Sequence, residues 1–459
     1  MQLNGLNYHL RTFGCQMNLH DAERIAGMLE ALGALPTDTA EQADIVVFMT
    51  CCVREAADQR LLGQVASLKN LPAPHHRRLI AVGGCIGQRD GAKLVELLPH
   101  IDVVFGTHNI SSLPGLLTAA LTGEGAQVEV PNEDEATGIL PATALPAHRE
   151  QPWHAWLPIM TGCDNHCSYC IVPKVRGREI SRPFDEILHE VQALLTDGVV
   201  EITLLGQNVN SYGRDLYGKP RFAEILRAVG TSGVQRLRFT TSHPKDLSED
   251  TIAAFAETAA VMPHLHLPFQ SGSNRILSAM NRHYTAEQYH NLVRTVRQAA
   301  AAAGKGDQTL MGSVALSTDI IVGFPGEDES DFQATCELVR EIGFAQAFTF
   351  IYSRRTGTPA AELIDNTPAE VIQNRFQQLV EIVQQSAWQQ NQLELASTTT
   401  VLFEGNSKRD ATMLSGRSPK NTTVHAPMPT GKTLDDFIGR ILPVRIETAR
   451  TWYLRGELV

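Results

Sequence analysis

The sequence lacks any uninterrupted apolar run of about eighteen residues, so no membrane-spanning helix is expected. Its start, MQLNGLNYHLRTFGCQMN, has no basic stretch leading into an apolar core, and no secretory signal is expected there. A cytoplasmic location follows as an expectation, and with it a reducing environment in which disulfides are disfavoured. Cysteine is scarce, at eight in 459 residues. The 16 histidines include no H-x-x-x-H pair, which excludes the zinc-protease pattern. PTGKT, at 429–433, lacks the glycine that a phosphate-binding loop needs at position 426, where Ala426 stands. No internal repeat or low-complexity tract is present. Bulk positive charge is missing too. The net charge of −11 argues against a polybasic nucleic-acid binder, while 43% hydrophobic residues suit a soluble globular chain.

What is present is organised in blocks. Apolar runs at Tyr8–Phe13, Ile45–Met49, Leu79–Val82 and Val103–Phe105 alternate with amphipathic stretches near 21–32, 54–68, 88–98 and 110–120. That alternation predicts a doubly wound, parallel-sheet α/β domain over 1–125. Residues 126–152 hold PNEDE and several prolines, and read as a linker. A second series over 153–395 offers strands at Leu157–Met160, Glu201–Leu205, Arg236–Thr240, His264–Leu267, Ser317–Val322 and Ala347–Ile351. Six strand–helix units predict a partial (β/α)6 barrel. A long helix over Pro368–Ala396 follows, with Ile372, Phe376, Leu379 and Val383 on one face. Short β-like pieces at Thr399–Phe403, Thr422–Val424 and Ile441–Ile446 predict a small β-barrel over 396–459. From Ala396 onward, nine Lys or Arg face six Asp or Glu, so this tail is +3 on an acidic body and suggests a polyanion contact, with Lys408, Arg409 and Lys420 expected among its cations.

Six cysteines carry the chemistry. Cys163, Cys167 and Cys170 form C-x3-C-x2-C directly after the first strand of the second series. Zinc would need a fourth ligand, for which His166 is at hand, and a disulfide would leave an odd thiol. An iron–sulfur cubane held by three thiolates would keep one iron open for another ligand. Cys15, Cys51 and Cys85 are far apart in sequence, yet each lies just past the end of a predicted strand, in RTFGCQMN, VVFMTCC and AVGGCIG. Strand ends of a parallel sheet share one edge, so these three can converge. The alternative is three buried, small apolar side chains. Cys52 is read as filler beside Cys51, and Cys336 as helix core.

The C-x3-C-x2-C motif after a barrel strand resembles the radical S-adenosylmethionine (SAM) enzymes. With the second cysteine set and the terminal β-barrel, nearly the whole chain resembles the methylthiotransferase family. FGCQMNLHDAE, LLGQNVNSYG, TSHPKDLS, MNRHYT and IIVGFPGE are most similar to the branch acting on isopentenyladenosine in tRNA. Met49, Cys52, Thr161 and the Ser-Arg-Arg at 353–355 depart from that branch's usual pattern, and none of them removes a cysteine of either set.

The resemblance implies an enzyme, a transferase that replaces the C–H at carbon 2 of the adenine next to the anticodon by S–CH3. It implies two [4Fe-4S] clusters, one on Cys163, Cys167 and Cys170 and one on Cys15, Cys51 and Cys85. SAM is the implied cosubstrate, with Gln207, Asn208, Ser271 and Asp319 as its contacts. It further implies a terminal TRAM module that binds RNA, the anticodon stem-loop of tRNA as partner, an electron donor such as a flavodoxin or ferredoxin, and a sulfur or cluster donor. Lys174, Arg176, Arg178 and Arg182 in PKVRGREISR are expected to hold tRNA phosphates, or else to form a solvated basic helix start. Two sister reactions stay open: methylthiolation of threonylcarbamoyl-adenosine in tRNA, and of a ribosomal-protein aspartate. A non-catalytic iron–sulfur protein that binds RNA or senses redox state is the reading from another class.

Overall fold

A computed structural model describes residues 3–51, 55–72, 74, 77–131, 145–306 and 311–459, with the side chains of 55–57 excepted. Residues 132–144 of the expected linker, and Cys52, lie outside the described residues. The chain divides into two compact units. One comprises Met1–Glu150, Trp156–His166 and Cys170–Ile180; the other comprises Gln151–Ala155, Cys167–Tyr169 and Ser181–Val459.

The first unit is built on a six-stranded sheet. Its spatial order is Leu35–Pro36, Asn7–Phe13, Ile45–Thr50, Leu79–Gly84, Val103–Phe105, Gln127–Glu129. Every pairing is parallel. The middle strands are apolar throughout because both faces are covered, as a doubly wound sheet requires. Ile45, Val47 and Met49 pack on one face with Ile25, Leu29 and Leu113. Val46 and Phe48 pack on the other with Leu61, Val65 and Ile86. The two edge strands were not expected. Leu35–Pro36 is too short to show a period, and Gln127–Glu129 lies in the segment read as linker. The order places the topological switch point between Asn7–Phe13 and Ile45–Thr50, where ligands bind in such sheets.

The second unit carries the barrel strands. Glu201–Leu205 pairs in parallel with Arg236–Phe239, and His264–His266, Ala315–Val322 and Gln346–Ile351 form a parallel set. A parallel bridge between Leu237 and Val261 links the two groups. The expected first strand is present as His154–Pro158, of which only His154 and Ala155 fall in this unit. The long helix runs Ala369–Gln392 and buries Leu379 and Val383 as its period predicts, while Ile372 and Phe376 are only half-buried. Beyond it, Thr398–Ser407, Asp410–Arg417, Thr423–Pro427, Ile441–Ala449 and Tyr453–Leu458 close into a five-stranded barrel around Val401, Phe403, Leu414, Val444 and Leu454. Asp410–Arg417 and Tyr453–Leu458 escape sequence reading because charged or glycine positions interrupt them. Arg236 and Arg238 fasten this small barrel to the parallel strands. Arg236 donates to the carbonyls of Thr400 and Arg417, and Arg238 to those of Ser418 and Pro419, at 2.8–3.0 Å.

Candidate functional site: two cysteine sets and a polar strand-end rim

In the first unit, register delivers the dispersed cysteines to one edge. Phe13 pairs with Thr50 and Thr50 with Gly84, so three adjacent strands end level. Cys15, Cys51 and Cys85 are the residues just beyond those ends. Cys15 is the N-cap of the helix Gln16–Ala31, and Cys85 opens the helix Cys85–Asp90. Cys51 and Cys85 are buried, and Cys15 is partly exposed. Gly14 leaves the room they need. A Cβ there would stand 2.1 Å from Asn18 Nδ2 and 3.0 Å from the Cβ of Cys51.

Sequence reasoning misplaced Arg176. It was expected at tRNA phosphates, but it is buried at 6% exposure. The cause is local. Ile171 and Val175, the latter in the short helix Val172–Arg176, pack into the core beside Val82, Ile86 and Val104 and carry the arginine inward. Its guanidinium donates to Asn18 Oδ1 at 2.9 Å and to Asp21 Oδ2 at 3.2 Å, and also hydrogen-bonds Cys85. Burial opposes its charge, but Cys85, Asp21 and Cys15 outweigh burial and hold it protonated. The Cys15 thiol is pulled down to about 6, first by the Cys51 hydrogen bond and then by Arg176 and the N–H groups of Asn18 and Met17. Cys15, beside a buried cation, is poised as a thiolate, the form that ligates metal. A proton-poor, sulfur-only donor set fits an iron–sulfur cluster better than it fits calcium or magnesium. Among the described residues, no three His, Cys, Asp or Glu side chains are gathered as for a single ion. In a cubane each thiolate meets a different iron, so its ligands need not converge on one point. Of the other three cations in this basic stretch, Lys174 and Arg178 are exposed, and Arg182 pairs with Glu190 at 2.8 Å.

The other cysteine set spans the two units in sequence. In the first unit, Cys163 and Cys170 are partly exposed, and Cys163 N–H donates to Gly177 O at 3.1 Å. Gly162 precedes them at φ +74°, and a Cβ there would lie 1.7 Å from Arg178 O, so only glycine fits this turn. In the second unit, Cys167 is buried and its sulfur accepts from Arg282 Nη1 at 3.4 Å. Arg282 is itself buried, donates to Pro268 O at 2.9 Å and lies against Tyr284. His166, the alternative zinc ligand, is exposed.

The second unit also has a rim of unsatisfied polar atoms. Gln207 Oε1, Asn208 Oδ1, Asn210 Nδ2 and Ser242 Oγ are buried without a hydrogen-bond partner. All four follow the C-terminal ends of Glu201–Leu205 and Arg236–Phe239. Buried polar groups are rarely left unpaired, so such a cluster marks where a polar ligand binds. Asn208 Nδ2 is fixed by Asp246 at 2.8 Å, and Asn210 Oδ1 accepts from His243 N–H at 2.9 Å. Thr241 and Gln270, also past strand ends, hold φ of 68° and 69°. For a β-branched threonine that is strain of the kind found at binding sites. Asp319 is partly exposed, 3.6 Å from His266 Nε2. Ser271 is fully buried, and its hydroxyl is engaged with Ser273 N–H and Thr335. Asn210 and Ser242 were missed by sequence reasoning, although LLGQNVN and TTSHP carry them. Cys336 is core, as expected, with burial pushing its thiol up to about 11.

Three family models match in succession: uncharacterized protein family UPF0004 over residues 7–106, the radical SAM superfamily over 157–339, and the TRAM domain over 392–459. The tRNA-2-methylthio-N(6)-dimethylallyladenosine synthase of Acidothermus cellulolyticus is 50% identical over 91% of this chain and 82% of its own. The protein of that name from Carboxydothermus hydrogenoformans is 43% identical over 99% of both chains. Among solved structures, the radical S-adenosylmethionine methyltransferase TsrM from Kitasatospora setae, with cobalamin and a [4Fe-4S] cluster bound, is 15% identical. Its TM-score is 0.52, over 79% of this chain and 77% of that one, a likeness of fold alone. With relatives this similar along their whole length, the chain belongs to the tRNA-2-methylthio-N(6)-dimethylallyladenosine synthase family.

Proposed function

We propose that this chain is a radical SAM transferase that installs a methylthio group at carbon 2 of isopentenylated adenosine next to the anticodon of tRNA. The observation that carries the reading is the relationship at 43% identity over 99% of both chains. Cys163, Cys167 and Cys170 would hold one [4Fe-4S] cluster, and Cys15, Cys51 and Cys85 the other. Bound together, the reduced first cluster and SAM supply a carbon radical able to remove an aromatic hydrogen that acid–base chemistry cannot reach.

The protein's own residues orient these groups. Arg282 donates to Cys167 and fixes that thiolate from within the barrel. Gln207, Asn208, Ser271 and Asp319 are assigned to SAM, with the unsatisfied Asn210 and Ser242 beside them. His243 stays neutral at that rim, its pKa lowered to about 2 by burial and by Arg282, so it brings no positive charge toward a cationic sulfonium. The small barrel is assigned to RNA. Lys408, Arg409, Arg450 and Arg455 are exposed on it, as is Trp452. Lys420 was expected among these contacts, but it is engaged with Glu394 at 2.5 Å. The division into 1–125, 126–152, 153–395 and 396–459 is retained as a functional one. An electron donor of the flavodoxin or ferredoxin type, a sulfur or cluster donor and a cytoplasmic setting complete the reading. Among the described residues no helix is long and apolar enough to cross a membrane.

Nucleoside analysis of tRNA from a deletion strain tests the proposal. Loss of the 2-methylthio group with isopentenyladenosine retained is expected. Loss from threonylcarbamoyl-adenosine instead would move the assignment to the sister reaction, and unchanged tRNA would reject both.

A further inference from the structure

Asn18 holds a buried hydrogen-bond donor with nothing to donate to. The residue is 0% exposed, and its Nδ2 has no partner. The orientation of the amide is settled by chemistry. Arg176 Nη2 can only donate, so the amide atom that it meets at 2.9 Å is the oxygen, Oδ1. Arg176 is held in turn by Asp21 at 3.2 Å. The chain Asp21–Arg176–Asn18 therefore turns the NH2 group away from the guanidinium. The space it enters is the one that Gly14 leaves open, which is also bounded by the Cβ of Cys51. Leaving such a group unpaired costs about 1–3 kcal/mol. An apolar residue of similar size, such as leucine, would avoid that cost.

We infer that the Asn18 amide is a ligand-facing donor, which hydrogen-bonds a sulfur atom of the group carried by Cys15, Cys51 and Cys85. This rests on the reading of those cysteines as cluster ligands. Sulfur bound to iron is a good acceptor, and N–H···S bonds raise the reduction potential of an iron–sulfur centre. Arg176 adds a fixed positive charge on the same side. Together they would favour the reduced form of this cluster.

The test uses the full-length chain with Cys163, Cys167 and Cys170 all replaced by alanine, so that only the dispersed set can carry a cluster. Reconstituted protein should hold about four irons, since one cubane carries four. Further replacement of Cys15, Cys51 and Cys85 should remove them. If iron stays, the reading of the cysteines fails, independently of Asn18. If iron is lost, Asn18→Leu and Asn18→Asp are compared with the parent. Both should keep the iron, lower the midpoint potential in an EPR-monitored titration, and lose a deuterium-exchangeable proton coupling in electron–nuclear double resonance of the reduced cluster. Asn18→Asp keeps the acceptor for Arg176, so it guards against a folding defect in the leucine variant. Its added charge lowers the potential by itself, which makes the lost coupling the deciding signal there. An exchangeable coupling that persists in both variants, or an unchanged potential in Asn18→Leu, overturns the inference.

Discussion

The two cysteine sets solve one problem in opposite ways. Cys163, Cys167 and Cys170 lie within eight residues, on a loop whose entry is fixed by Gly162. Cys15, Cys51 and Cys85 are spread over seventy residues and meet only because three parallel strands end in register. Each set also has a buried arginine, Arg282 at Cys167 and Arg176 at Cys85 and Cys15. A compact loop can be moved between folds with its ligands intact. A strand-end set belongs to its sheet, and any register shift scatters it. The first set is therefore robust to changes in packing, and the second depends on every layer of its unit.

The largest expected effect separates the sets chemically. Alanine at Cys163, Cys167 or Cys170 should abolish cleavage of SAM to 5′-deoxyadenosine in reconstituted protein. Alanine at Cys15, Cys51 and Cys85 together should spare that cleavage, stop methylthiolation, and reduce iron from about eight to about four per chain. Full iron in the second variant, or normal cleavage in any of the first three, would dissolve the distinction.

The arginines sharpen it energetically. Arg176→Met leaves Asp21, 3% exposed, without its main cation. Breaking such a buried pair costs about 3–5 kcal/mol, here toward the lower end because His20 stays 3.2 Å from Asp21. Adding Asp21→Asn should recover part of that loss. Arg282→Met removes donors from a thiol, a carbonyl and the Tyr284 hydroxyl, with no carboxylate left behind, and should cost about 1–3 kcal/mol. Chemical denaturation of the cluster-free protein measures both. Equal costs would mean that the carboxylate plays no special part at Arg176.

The same contrast explains what could be read without coordinates. The compact motif is legible because spacing alone states it. The dispersed set was legible one step further on, because apolar runs marked the strands and each cysteine sat just past one. Arg176 was not legible: a basic run normally means a solvated face, and only the packing of Ile171 and Val175 shows otherwise. Lys420 failed for the same reason, since its partner Glu394 belongs to the preceding helical segment and not to the β-barrel. Asn210 and Ser242 carry no pattern of their own. What marks them is an unpaired buried atom, and burial is not visible in sequence.

Acid should distinguish the two units as well. His154, His243, His264 and His425 of the second unit all have lowered pKa values. Burial brings His154 down to about 4 and His243 to about 2, and His264 lies well below its ordinary value. Between pH 6.5 and the folded value, the unfolded chain binds a proton that the folded chain refuses. Stability therefore falls as pH falls through that window, by up to about 1.4 kcal/mol per pH unit for each such histidine. In the first unit, burial works against the Asp21 carboxylate but Arg176 still holds its pKa below the ordinary value. Its contribution is present at neutral pH and is lost only below about pH 4. Thermal unfolding from pH 7 to 4 should weaken the second unit first, and His154→Gln should flatten its slope. A first unit that melts earlier on acidification would reverse the assignment.

The smallest effect concerns charge at the far end of the second unit. Reversing exposed cations of the small barrel tests RNA contact without touching either cysteine set. Lys420 is unsuited to this, because reversal would set two carboxylates against each other where it now pairs with Glu394. Lys408, Arg409, Arg450 and Arg455 are exposed, and their reversal should leave the barrel core of Val401, Phe403 and Leu454 intact. Each lost phosphate contact should flatten the slope of log affinity against log salt by about 0.7–0.9. Trp452, 53% exposed beside Arg450, should behave differently. Stacking on a base is worth about 1–3 kcal/mol and is little screened, so Trp452→Ala should weaken tRNA binding by a similar factor at every salt concentration. Titrations at several salt concentrations separate the two signatures. A chain with all four cations reversed that keeps both affinity and slope would show that the barrel does not hold phosphate, and would leave exposed Lys174 and Arg178, next to the compact cysteine loop, as the phosphate contacts.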